Sequence, residues 1–176
     1  MKSLSIIGLT ILACVIYGII HDQVTVRLCL EYFTVFHAPM FETLNPTLLG
    51  IGWGILATWW VGLILGIPLA VFARAGKMPK RTAAQLIRPI TILMLSSACF
   101  AIMAGTVGFI AALNGWIWMV EPWVSRVPSE HHIPFLVCYW THNASYIAGF
   151  VGGITVMAIV WRGRLLELQR GKQEQT

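Results

Sequence analysis

The chain has 176 residues, of which 57% are hydrophobic and only 11% charged. An ordinary soluble domain carries about 25% charged residues, so the composition argues against a soluble domain, a disordered chain, a coiled coil and a collagen-like fibre. What it leaves is an integral membrane protein, read here as an all-α chain forming one membrane domain over residues 1–176.

A membrane-crossing helix needs about 20 mostly apolar residues to traverse a hydrocarbon core of about 30 Å. Four stretches meet that requirement, at 3–20, 46–73, 89–120 and 133–161, and none holds an Asp, Glu, Lys or Arg. The expected fold is therefore a four-transmembrane-helix bundle. Ile11-Leu12-Ala13-Cys14 in the first span loosely resembles a lipoprotein cleavage site. Leu12 fits that site poorly and the apolar run continues beyond Cys14, so an uncleaved helix is expected.

The next stretch alternates Val24, Val26, Leu28, Leu30 and Tyr32 with Thr25, Arg27, Cys29, Glu31 and Phe33. A period of two predicts an extended loop between the first two spans; an amphipathic interfacial helix is the competing assignment. Asn45-Pro46 opens the second span, as an N-cap followed by Pro at the first helical position. Pro68 predicts a kink near its far end. Pro89 opens the third span, with residues 81–88 as a candidate interfacial helix before it. Residues 162–176 read as a tail.

The charges sort by side. Lys2, the 74–88 segment and the tail hold ten basic and two acidic residues, a balance of +8. The opposite side holds Arg27 and Arg126 against Asp22, Glu31, Glu42, Glu121 and Glu130, a balance of −3. The positive-inside rule then places both termini in the cytoplasm. The net charge of +5 is an orientation signal, and no nucleic-acid partner is expected. The expected surroundings are the lipid bilayer, with a homo-oligomer or a larger membrane complex as possible assemblies. Small residues recur four apart, at Gly62 and Gly66, at Ala101 and Gly105, and at Ser145, Gly149 and Gly153. Such stripes let helix backbones approach closely in lipid.

All five histidines fall toward the acidic side. His142 lies inside the fourth span, eleven residues after His131, and at 3.6 residues per turn the two share a face. That face also carries Phe135, Cys138, Ser145 and Gly149, a polar and small stripe expected to point inward. An ionisable residue within a membrane is a candidate functional group. His21, Asp22, Glu31 and His142 form the leading candidate metal set, with His37, His131 and His132 as weaker members. Imidazole and carboxylate suit Zn, Fe or Cu. The same groups would also serve a proton relay, and their plainest use is to hydrogen-bond neighbouring helices. No metal-ligand spacing motif is present, and no proton path of ionisable residues reaches the other half of the bundle. Cys29 and Cys138 lie toward one side, where pairing is conceivable. Arg27 is placed to pair with Asp22 or Glu31.

The stretches from His21-Asp22-Gln23 to Glu31-Tyr32-Phe33-Thr34 and from Pro46-Thr47-Leu48-Leu49 to Trp59-Trp60-Val61-Gly62, together with Gly149 to Gly153, resemble those of bacterial four-span inner-membrane proteins with no assigned activity. The resemblance covers most of the chain. It implies four helices and a bacterial inner (plasma) membrane location, and it brings no ligand or catalytic residue. The sequence favours a non-catalytic structural or accessory subunit. The competing reading is a membrane-embedded metal-dependent enzyme or redox protein, with a His/carboxylate site at the extracytoplasmic face.

Overall fold

The structure is a computed structural model describing residues 2–174. It is all-helical: α1 (Lys2–Leu28), α2 (Pro46–Leu56), α3 (Trp59–Arg74), α4 (Ala83–Leu113) and α5 (His132–Gln173), with a π-helical turn at Tyr32–Phe36 and a 3₁₀ turn at Ser129–His131. Four helical stretches are long and apolar enough to cross a membrane: Lys2–Leu28, Pro46–Arg74, Ala83–Leu113 and Ser129–Gln173.

α1 shows how the sequence chooses its faces. Its buried residues include Ile6, Thr10, Cys14, Gly18, Asp22 and Val26, each four after the last. Leu12, Ile16, Ile20, Val24 and Leu28 are exposed. Large aliphatic side chains thus face outward while small and polar ones face the bundle, the arrangement expected where the surroundings are as apolar as the side chains. α1 packs along α2 and α3, α4 packs along α5, and α1–α4 and α3–α5 contacts close the bundle.

Several boundaries differ from expectation. The alternating segment after Ile20 is not extended: α1 runs on to Leu28, and the residues beyond form the π-helical turn. The apolar residues at 24 and 28 continue the outward four-residue spacing, which outweighs the period-two pattern. α4 begins before Pro89, from a capping box in which Thr82 and Gln85 satisfy one another's ends; it stops at Asn114, before the tryptophans at 116 and 118. Residues 162–173 are helical and continue α5.

The second span breaks at Ala57–Thr58, while Pro68 sits inside a continuous α3. Thr58 Oγ1 donates to the Gly54 carbonyl at 2.5 Å, the kind of back-bond that bends a helix. Just there the chain meets α1 at its closest. A Cβ on Gly54 would stand 2.5 Å from Ile19 Cα, and one on Gly62 2.5 Å from Ile11 Cα.

Two core clusters lie at opposite ends of the bundle. One gathers Ile6, Leu65, Leu69, Leu86, Ile90 and Val160. The other gathers Val26, Tyr32, Phe33, Leu49, Phe135 and Cys138. Beside the first, Arg164 is fully buried. Its guanidinium donates to the carbonyls of Phe72, Ala75, Met78 and Pro79. These lie at the end of α3 and just after it, where the last carbonyls lack helical partners and the helix dipole favours a cation. Arg81 extends the junction through an ion pair with Glu167 at 2.8 Å.

Two outcomes follow. Gly54→Ala loses about 1–3 kcal/mol of unfolding free energy because backbone has to move, whereas Gly8→Ala, whose Cβ would meet nothing within 4 Å, loses none; denaturant titration of the reconstituted protein measures both. By the same titration Arg164→Met costs about 3 kcal/mol or more, since it strands buried carbonyls.

Candidate functional site

Asp22 is buried, with 5% of its surface exposed. It sits on the inward face of α1, so the helix that positions it also seals it from water. His142 projects from α5 against it, with Nε2 3.1 Å from Asp22 Oδ1. The other ring nitrogen, Nδ1, lies 2.7 Å from the Cys138 carbonyl. A carbonyl only accepts, so Nδ1 carries the hydrogen. Nε2 and a carboxylate oxygen then face each other, and two lone pairs at that distance repel. One cation must stand between or beside them, either a proton or a metal ion.

His21 completes the group. Its ring meets His142 edge-on, with centroids 4.5 Å apart. Its Nδ1 lies 3.4 Å from Ser145 Oγ, which is 2.8 Å from Tyr17 Oη. Its Nε2 is buried with no hydrogen-bond partner. One ligand atom from each of His21, Asp22 and His142 lies within 4.8 Å of the others. Two ligands of one ion at about 2.1 Å bond length stand roughly 3.0–3.4 Å apart, which the Asp22–His142 separation matches. The outer hydrogen bonds are also of the kind that orient ligating histidines: His142 to a backbone carbonyl and His21 to a hydroxyl.

The other candidates go elsewhere. Glu31 lies 2.8 Å from His131 Nδ1, and the Cys29 thiol donates to its second oxygen at 3.4 Å. His132 Nε2 bonds the Val127 carbonyl at 2.9 Å, and His37 Nδ1 the Tyr32 carbonyl at 2.7 Å. Arg27 pairs with neither Asp22 nor Glu31; it donates to Gln23 and Thr47. Cys29 and Cys138 are buried free thiols, and burial pushes the Cys29 thiol up to about 12.

Tyr32 was missed as part of the site's surroundings. Its ring covers His142 at 4.6 Å and meets His37 at 5.1 Å, so the π-helical turn forms an aromatic cover over the histidine. Tyr17 was missed too, although its place four residues before His21, on the same face of α1, was readable. The inward face of α5 is as expected for Phe135, Cys138, His142 and Ser145, while His131 stands in the preceding 3₁₀ turn.

Comparison with known protein families, with curated proteins and with solved structures yields no match.

Two cover groups set an acid limit. Burial holds His37 below its ordinary 6.5, against its hydrogen bond to Tyr32. Burial opposes ionisation of Glu31, but hydrogen bonds from its own backbone, His131 and Cys29 outweigh it and hold the carboxyl below its ordinary 4.5. Both folded values are lowered, so in each case the unfolded chain takes up the proton first as pH falls. Stability therefore declines below about 6.5 through His37 and again below about 4.5 through Glu31. Thermal unfolding followed by tryptophan fluorescence across pH shows both steps; His37→Gln flattens the upper one and Glu31→Gln the lower.

Proposed function

We propose that this protein is a membrane-embedded metal protein in which His21, Asp22 and His142 hold one transition-metal ion. The observation that carries the proposal is the donor arrangement: His142 Nε2 faces Asp22 Oδ1 at 3.1 Å beside a buried, unpartnered His21 Nε2. Two imidazoles and one carboxylate leave coordination positions open, a set that suits Fe or Zn and also accepts Cu. A bound ion would supply redox or Lewis-acid chemistry at those positions. The chain's own part is to fix the two imidazoles through Cys138 and Ser145, to offset part of the ion's charge with Asp22, and to exclude water with the Tyr32 ring. His37 belongs to the cover, and Glu31, His131 and His132 are engaged elsewhere, outside the ligand set.

The site would lie near the extracytoplasmic face of a bacterial inner membrane, with both termini cytoplasmic. The +8 and −3 charge balance supports that orientation. The lipid bilayer is the expected environment, and a homo-oligomer or larger complex is compatible with it. The competing reading, a non-catalytic structural or accessory subunit, draws on the close backbone contacts of α1 with α2 and α3, which need no metal.

Elemental analysis of detergent-purified protein decides between them. The expected result is close to one Fe, Zn or Cu per chain, lowered at least tenfold in His142→Ala and Asp22→Asn and unchanged in His132→Ala. Absence of stoichiometric metal after growth and purification with each metal supplied would favour the structural subunit.

A further inference from the structure

A cavity of about 60 Å³ adjoins the three donor residues. It lies where α1, the break between α2 and α3, α4 and α5 meet. Cys14, Val61, Leu65 and Met94 contribute its apolar wall, and His21, Asp22 and His142 its polar end. Ser97 on α4 lines the same space. This residue is 2% exposed and its hydroxyl has no hydrogen-bond partner. Thr10, Thr25, Thr58 and Thr141 all spend their hydroxyls on the carbonyl four residues back, the usual resort of a hydroxyl in a helix. Ser97 does not, and its hydroxyl stands unpartnered at the cavity wall.

Size and polarity select the occupant. A cavity that takes benzene measures about 150 Å³, so quinone-like or porphyrin rings do not fit here. Several waters would fit by volume, at roughly 10–15 Å³ each, but each needs two to four polar partners. The polar atoms gather at one end, around Asp22, His142 and His21, while Cys14, Val61, Leu65 and Met94 leave the rest of the wall without a partner for water. Tyr17 bonds Ser145, and Tyr146 bonds the Ala57 carbonyl at 3.4 Å. A small neutral molecule that asks for little hydrogen bonding matches the space better than a water cluster does.

We infer that this cavity binds a neutral diatomic molecule of the dioxygen class and holds it against the open positions beside His21, Asp22 and His142. Its role at a metal rests on the reading proposed above, whereas its occupancy does not. Met94, Leu65 and Ser97 shape the pocket.

Xenon is the probe, as an apolar atom of similar size. Crystals of the full-length protein grown in lipid and pressurised with xenon are expected to show one xenon between Leu65, Met94 and Ser97. Ser97→Met should reduce its occupancy several-fold while preserving the metal content, and the smaller Ser97→Val serves if the methionine variant does not fold. A xenon-free cavity, or one filled by an ordered chain of waters from Ser97 to His21, overturns the inference. Xenon bound in a protein that never takes up metal upholds the pocket and overturns only the metal reading. Metal bound beside a cavity that refuses xenon overturns the pocket alone.

Discussion

A carboxylate buried inside the bundle requires a positive charge beside it, and the facing of Asp22 and His142 makes the place for one. Removing an ion from water costs several kcal/mol even after the protein relaxes. Asp22 occupies the inward four-residue stripe of α1, where Gly18 before it and Val26 after it are also buried. The donor atom that faces it across the bundle comes from α5, at 3.1 Å. This one contact ties the first span to the last and fixes the rotation of both. It also sets the depth at which Tyr32 must cover the ring and at which His21 meets His142.

The break in the second span belongs to the same geometry. Gly54 and Gly62 bring backbone against backbone on α1 on either side of it. Ala57 and Thr58, at the break itself, line the cavity next to the donor residues. Backbone that departs from helix at membrane depth is tolerated where it is enclosed by protein or lines a cavity. Here it lines one, and the Ala57 carbonyl is met by Tyr146. Close packing and open space thus adjoin on α1, with Gly18 against Thr58 and also in the cavity lining.

Much of this was legible in the residues. Four apolar stretches announced four helices, and the inward face of α5 followed from helical spacing around His142. The pairing of His142 with Asp22 was readable as a candidate because both are ionisable groups in an apolar setting. Other features depended on tertiary contacts. Glu31 stood as an equal candidate because sequence spacing does not show that the π-helical turn carries it to His131. The break at Thr58 was hidden since Pro68 is the stronger local signal, yet only Thr58 lies against Gly18 of α1. Arg164 looked like one more charge in a tail. Nothing in its neighbours along the chain reveals that four carbonyls around the end of α3 would enclose it.

That enclosure has a geometric consequence. α5 has 42 residues, about 63 Å at the helical rise, roughly twice the thickness of a hydrocarbon core. Arg164 clamps that helix to the end of α3. His142 stands 22 residues before it on the same unbroken helix, about 33 Å away at the helical rise, so α5 alone sets the distance between the cationic clamp at one end of the bundle and the donor group at the other.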